Sequence, residues 1–423
     1  GCRNRINSPD QLSISMTNQI PTIILKPGKE RALLRRHPWV YATGVSKVLG
    51  KPKSGETVRI QDSKGKFLAW GAFSPESALR ARCWSFQEED VIDAAWIEAR
   101  VKAAIEARSC LRSRTNAIRL IFGEADFLPG LIVDQYNNQV VTQFQSAGVE
   151  YWRSVIGQAL VKYTGCSQVY DRSDAATRAR EGLPERKEVL EGEEPPQEVE
   201  IVEDGIKYGV DVRMGHKTGF YVDQRDNRAL ARRLAEEFKR VHGRGMRALN
   251  CFCYTGGFSL ALKAGGAEEV VSIDSSADAL QMAQENAKRN GFDDGSMKWI
   301  EANVFEALRE FRDKGEQFDL VILDPPKFAS SHHHVDKAAR AYKDINLNGL
   351  RILAPGGQLL TFSCSGAIDV DLFQKIVAGA VIDSRVEAWM MARLGAGIDH
   401  PLLMTHPEGE YLKGLYLLSR GRV

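Results

Sequence analysis

The chain is poor in cysteine, has no long apolar run and carries no internal repeat. Seven cysteines in 423 residues (Cys2, Cys83, Cys110, Cys166, Cys251, Cys253 and Cys364) are too few and too scattered for a disulfide framework. Apolar runs such as residues 320–323 and 376–382 fall far short of the roughly 18 residues that a membrane-spanning helix needs. No charged n-region followed by an apolar h-region opens the sequence, so no secretory signal is expected. These absences point to the reducing cytoplasm and away from a membrane. Hydrophobic residues make up 43% and charged residues 26%, ordinary for a globular protein, which excludes disordered and collagen-like chains. At about 150 residues per domain the length suggests two or three domains.

What is present is unevenly spread. The net charge is only +2. Residues 17–82, however, hold 13 Lys/Arg against 4 Asp/Glu, and residues 178–204 hold 4 against 10. A basic N-terminal unit fits an anionic partner such as nucleic acid. A generic solvated basic surface fits the charge equally well.

Residues 1–19, polar and without period, read as a tag remnant or loose extension. Residues 20–90 read as a small β-barrel, with strands at 22–25, 57–61, 67–73 and 79–84 separated by turn signals, and a basic helical turn at 28–36 stopped by Pro38. Residues 91–204 read as a central α/β unit. It has a helix over 91–116, strands at 117–122, 130–135, 139–145 and 168–171, and a helix at 151–163. The acidic strip 178–204 is expected as a loop or hairpin. Residues 205–423 alternate strands (248–252, 270–274, 297–301, 320–323, 358–362, 386–390) with helices, the pattern of a doubly wound, mostly parallel sheet.

The first strand of that sheet turns into its helix through Asn250-Cys251-Phe252-Cys253-Tyr254-Thr255-Gly256-Gly257. Glycines there let a ligand approach the backbone, and the helix start offers free N–H groups. Asp274, with Ser275 beside it, ends the second strand, where an acid can accept hydrogen bonds from ribose hydroxyls. Asn303 follows the third strand and could read an adenine edge. The G-x-G-x-x-G pattern is missing, which disfavours a dinucleotide and favours a nucleoside cofactor.

Asp324-Pro325-Pro326-Lys327-Phe328 falls at the carboxyl end of the fourth strand, where open α/β sheets place ligands. Together with the turn upstream, it resembles the S-adenosylmethionine-dependent methyltransferase fold and its D/N-P-P-aromatic motif. Lys327 intrudes before the aromatic residue, which argues against a simple amino-group methyltransferase. The fifth strand ends in Ser363-Cys364-Ser365-Gly366. A thiolate there could add to carbon 6 of a pyrimidine and make carbon 5 nucleophilic, which is covalent catalysis. The bland alternative is a small buried hydrophobe. No metal site is expected: Cys251 and Cys253 form a lone C-x-C, and His332-His333-His334 read as an exposed loop.

From about residue 20 onward the chain resembles the bacterial large-subunit ribosomal RNA methyltransferase I family. The matching stretches are Leu34-Arg35-Arg36-His37-Pro38-Trp39-Val40, Ala147-Gly148-Val149-Glu150-Tyr151, Tyr170-Asp171-Arg172-Ser173-Asp174, residues 215–225 (GHKTGFYVDQR), the cofactor turn, Asp324–Phe328, Tyr342-Lys343-Asp344-Ile345-Asn346, residues 362–366 and residues 407–414 (PEGEYLKG). The resemblance implies a PUA-type RNA-binding barrel, a central α/β domain and a C-terminal Rossmann-like methyltransferase domain. It implies S-adenosylmethionine as cofactor and methylation of cytosine carbon 5 in large-subunit ribosomal RNA, with a homodimer left open. Cys364 inherits the nucleophile role, Asp324 a base-binding one, and Lys327 stands where many relatives place a second cysteine. Tyr221, Gln224, Asn250, Phe252, Tyr254, Thr255, Gly256, Asp274, Ser275, Asn303 and Asp324 become the expected cofactor contacts. Lys29, Arg31, Arg35, Arg36, Lys217 and Arg225 become the expected RNA contacts. Two other functions stay open: nitrogen methylation of an RNA base with the same cofactor, and a non-enzymatic RNA-binding assembly factor.

Overall fold

The computed structural model of the chain describes residues 19–329 and 331–423, so the expected extension lies outside the described residues apart from Gln19. The N-terminal unit is a six-stranded mixed sheet of β1 (Thr22–Leu25), β2 (Trp39–Tyr41), β3 (Val45–Leu49), β4 (Thr57–Gln61), β5 (Phe67–Phe73) and β6 (Leu79–Ser85), ordered β2-β6-β5-β4-β1-β3. Period-2 alternation drives it: Val58 and Ile60 are buried between half-buried Thr57, Arg59 and Gln61. These side chains pack with Ile23, Leu25, Val40, Ala69, Ala81 and Cys83 in one core. The helical turn α1 (Arg31–Leu34) inserts only Leu33 and leaves its basic residues outside. β2 and β3 went unread because they are short and follow directly on a proline and a glycine.

The central unit has the sheet order β11-β10-β9-β8-β7, built from β7 (Ala117–Phe122), β8 (Leu131–Tyr136), β9 (Gln139–Phe144), β10 (Gln168–Arg172) and β11 (Lys187–Glu191). Helices α2 (Ala94–Glu106), α3 (Ala147–Tyr151), α4 (Arg153–Thr164) and α5 (Ala175–Arg180) accompany it. Asp93 caps α2 by accepting the Trp96 N–H at 2.9 Å. The helix is shorter than its periodicity predicts. The Arg108 side chain turns back to the Ala104 carbonyl (3.2 Å) and pairs with Asp126 (2.5 Å), and the chain leaves the helix there.

Of the two forms expected for the acidic strip, its end takes the hairpin. Its second part forms β11 and then β12 (Val199–Glu203), which pairs antiparallel with β13 (Ile206–Val210). In β12 Val199 and Ile201 are buried while Glu200 between them is exposed, so Glu200 occupies the outer face of an ordinary strand, and Glu203 at its end is buried. Arg289 neutralises Glu198 and Glu200, each at 2.8 Å. The boundary expected between residues 204 and 205 falls inside this hairpin. Asp204 and Gly205 are its two turn residues, both left-handed (φ 49° and 83°), as a type I′ turn requires.

The C-terminal unit is a seven-stranded sheet ordered β16-β15-β14-β17-β18-β20-β19. Its strands are β14 (Arg247–Cys251), β15 (Glu269–Asp274), β16 (Met297–Glu301), β17 (Phe318–Leu323), β18 (Leu353–Ser363), β19 (Val386–Gly395) and β20 (Lys413–Arg422). The first five are parallel, and β20 runs antiparallel to both neighbours. Helices α6 (Arg225–His242), α7 (Gly257–Ala264), α8 (Ala277–Arg289), α9 (Val304–Asp313), α10 (Val335–Arg351) and α11 (Val370–Ser384) cover its two faces, each with its own apolar core. β17 reads FDLVIL and is buried throughout, as a central parallel strand must be. Strand order reverses between β14 and β17, and the carboxyl ends of the strands at that switch point frame the site. Among the described residues no helix is long and apolar enough to cross a membrane.

Candidate active site

A cavity of about 640 Å³ opens at the switch point, within the usual size range of ligand sites. Its floor is the turn between β14 and α7. Phe252 (φ 60°) and Tyr254 (φ 49°) both adopt the left-handed backbone, a cost that non-glycine residues bear mainly where function demands it. Gly256 takes the same region (φ 87°) and starts α7. Asp274 braces this turn. One carboxylate oxygen accepts the Tyr254 N–H and the other the Ser276 N–H, both at 2.9 Å. Each oxygen keeps further accepting capacity, and Asp274 lines the cavity together with Ser275 and Thr255.

The second wall comes from β17 and β18. Asp324, Pro325, Pro326 and Lys327 follow β17, and Cys364 and Gly366 follow β18; all line the same cavity. Burial, reinforced by Asp223, pushes the Asp324 carboxyl up to about 7, while Lys217 acts against the rise. Burial also raises the Cys364 thiol, and Lys217 opposes that rise. Lys413, at the start of β20, donates through Nζ to the carbonyls of Ser365 (2.7 Å) and Ile368 (2.5 Å) and so holds the loop that carries Cys364. Burial pulls this ammonium down to about 8.

The segment 216–224 forms the roof. His216 stacks on Tyr254 with ring centres 4.3 Å apart, and its backbone N–H donates to the Tyr254 hydroxyl at 2.7 Å. Lys217 ion-pairs with buried Asp223 and lies over the rings of Tyr221 and Tyr411, at 4.9 and 5.1 Å. The Tyr411 hydroxyl also donates to Asp223, at 2.6 Å. Burial alone would raise Asp223, but Lys217 and His400 hold it well below the usual carboxylate range. Gln224 is buried, lines the cavity beside Asp324, and accepts from Asn227 through Oε1 at 2.7 Å.

The expected contacts thus divide. Tyr221, Gln224, Phe252, Tyr254, Thr255, Asp274, Ser275, Asp324, Lys327 and Cys364 are brought together. Asn250 is not among them: it is buried behind the turn, where Nδ2 donates to Ser259 at 2.8 Å. Asn303 is not among them either. Its side chain caps α9 by accepting the Glu306 N–H at 3.2 Å. Lys29, Arg31, Arg35 and Arg36 are exposed on the N-terminal sheet. Lys217 is held inside the cavity by Asp223, not on the outer surface. Arg225 is corrected outright. It is wholly buried, bonded to both carboxylate oxygens of Asp399 (3.0 and 2.9 Å) and to the Ala117 carbonyl (2.8 Å), out of reach of any nucleic acid.

Sequence reasoning missed His216, Asp223, Tyr411 and Lys413. All four lie in the stretches 215–225 and 407–414 singled out above, so the signal for them was present.

A parallel sheet with an antiparallel strand inserted beside its edge, a braced cofactor turn and an Asp-Pro-Pro wall define an S-adenosylmethionine-dependent methyltransferase, here preceded by a PUA-like barrel. Residues 177–386 match the family described as S-adenosylmethionine-dependent methyltransferase, and residues 23–86 match the PUA-like domain. The chain is 48% identical over 398 residues to the ribosomal RNA large subunit methyltransferase I of Tolumonas auensis, covering 93% of this chain and 98% of that one. It is 49% identical over 397 residues to the protein of the same name from Photobacterium profundum, with the same coverage. The chain belongs to the ribosomal RNA large subunit methyltransferase I family, and S-adenosylmethionine is its cofactor. In fold it is similar to a solved SAM-dependent methyltransferase from Streptococcus mutans, with a TM-score of 0.79 at 20% identity over 95% of this chain and 100% of that one.

Proposed function

We propose that the chain methylates carbon 5 of a cytosine in large-subunit ribosomal RNA through a covalent bond from Cys364 to carbon 6. The observation that carries this reading is the position of Cys364. It sits at the carboxyl end of β18, in the same cavity as the cofactor turn and Asp324.

When bound, S-adenosylmethionine supplies an electrophilic methyl group on a cationic sulfur. Phe252, Tyr254 and His216 offer apolar faces for its nucleoside, and Asp274 and Gln224 offer polar contacts. The target base has to leave its stack to reach this depth. Cys364 is a protonated thiol at neutral pH because its ionisation is suppressed by burial. Asp324, near 7, exchanges protons readily at that pH. Asp324 takes the thiol proton and delivers it to N3 of the cytosine as sulfur bonds to carbon 6. Carbon 5 then carries the electron pair that takes the methyl group. Loss of the carbon 5 proton to a base, departure of the Cys364 thiolate and return of the N3 proton to Asp324 restore the aromatic ring.

The test replaces Cys364 by Ala and reads RNA nucleosides by mass spectrometry. Loss of 5-methylcytidine with unchanged cofactor affinity is expected. RNA carrying 5-fluorocytidine, whose carbon 5 fluorine cannot leave as a proton does, should stay bonded to the unsubstituted protein and not to the variant. A fully active variant, or a nitrogen-methylated product, overturns the covalent reading.

A further inference from the structure

A second cluster of chemistry-bearing side chains lies away from the cavity, where all three units meet. His37 comes from the N-terminal sheet, Glu124 from the turn after β7, and His406 and Glu408 from the loop before β20. His37, His406 and Glu408 each present a ligand atom within 4.8 Å of the others. His37 Nε2 lies 2.9 Å from Glu408, and His406 Nε2 lies 3.7 Å from Glu124 and 4.0 Å from Glu408.

We propose that His37, His406 and Glu408 hold a divalent metal ion of the zinc class, with Glu124 beside them, and that the ion pins the N-terminal unit to the catalytic unit. Two imidazoles and a carboxylate, completed by a water, are a ligand set that borderline divalent ions accept in tetrahedral geometry. Ligand atoms about 2.1 Å from such an ion lie roughly 3.4 Å from one another, and the His37–Glu408 and His406–Glu408 separations straddle that value.

The decisive observation is His406. It is 5% exposed, and its Nε2 points into the cluster with no hydrogen-bond partner. Its distances of 3.7 Å to Glu124 and 4.0 Å to Glu408 are too long for hydrogen bonds, and the latter suits two groups that share an ion. A plain His37–Glu408 ion pair would explain those two residues and leave His406 unexplained. Trp39 packs edge-on against His406, with ring centres 4.6 Å apart, and shields the site.

The proton inventory closes. His37 Nδ1 accepts the Trp39 N–H at 3.3 Å, which leaves the ring proton on Nε2, donated to Glu408. On metal binding the neutral ring shifts its proton to Nδ1, frees Nε2 for the ion and gives up that weak contact. The ion would anchor Pro407–Gly409, directly before Tyr411, which lines the cavity, and Lys413, which holds the loop of Cys364.

The test titrates the metal-free full-length protein with Co²⁺ and follows the visible absorption of a four-coordinate site. One ion per chain, displaced by Zn²⁺, is expected. His406→Gln should weaken binding by about tenfold or more, and Glu408→Gln, at a half-exposed position, covers the case in which the first variant fails to fold. The triple variant His332→Ala, His333→Ala, His334→Ala should bind as the unsubstituted chain does. No four-coordinate spectrum, unchanged binding in the folded His406 or Glu408 variant, or loss confined to the 332–334 variant overturns the site.

Discussion

The protein treats its buried acids in two opposite ways. At the cavity, Asp324 has no full cationic partner, and burial lifts its carboxyl to about 7. In the seam between the central and catalytic units every acid has one. Asp399 meets Arg225, Glu203 meets Arg228 at 2.7 Å, and Asp134 meets Arg119 at 2.8 Å. Burial would raise Asp399 as well, but His400 and Arg225 more than offset it and hold the carboxyl below its ordinary range. A buried charge with its partner fixes the fold, and a buried acid without one is free to move protons. Cys364 and Lys413 belong with Asp324, since burial pushes each toward its neutral form.

The sharpest way to break this contrast is Asp324→Asn. Turnover should fall by about 10²–10⁴-fold, the usual worth of a positioned proton-transfer group. Stability should move the other way. A carboxyl whose folded pKa lies above its unfolded value binds more protons in the folded state, so it costs stability as pH rises from about 4 through 7. The variant should therefore melt at or above the unsubstituted protein at pH 8. A lower melting point there would place Asp324 with the structural acids.

Arg225→Ala is the converse. Removing one partner of a buried pair strands Asp399, and urea denaturation should show a loss of about 3–5 kcal/mol. Were Arg225 an RNA contact, stability would hold and RNA affinity would fall. Asp399→Asn keeps the shape and should cost less, about 1–3 kcal/mol at pH 7. A depressed carboxyl contributes fully above its unfolded pKa and loses that contribution as pH falls below about 4. The gap between this variant and the unsubstituted protein should therefore close on acidification. A gap that persisted at low pH would mean that packing, not charge, is what Asp399 supplies.

The same contrast explains what the sequence could reveal. Asp324 and Cys364 were legible because β17 is almost wholly apolar and β18 closes on Leu359, Leu360 and Phe362, and the polar residue ending such a strand falls at the functional edge. Arg225 was not, because its charge is visible and its partner is 174 residues away. Asn250 lies near the end of β14 and Asn303 just after β16, but the Asn250 amide nitrogen is bonded to Ser259 and the Asn303 side-chain oxygen to the start of α9, and local hydrogen bonding has no signature in spacing. β20 passed unread because its run of four apolar residues lacks alternation, while α6 shows a strongly polar composition that hides Leu230, Leu234 and Phe238. The His37–Glu408 contact joins positions 371 apart.

The smallest expected effect concerns the exposed arginines of the barrel. Arg35 and Arg36 are exposed, and among the described residues neither forms an ion pair. If the N-terminal unit grips RNA, as the resemblance implies, each contributes a phosphate contact. Arg35→Ala with Arg36→Ala should then weaken RNA binding at low salt and flatten the dependence of log K on log salt by about 0.7 per contact on a single strand. Melting temperature and cofactor affinity should not move, since neither side chain reaches the core or the cavity. An unchanged salt slope would leave the positive balance of residues 17–82 as a solvated surface, and RNA affinity would then have to be sought around the mouth of the cavity, where Lys327 is exposed.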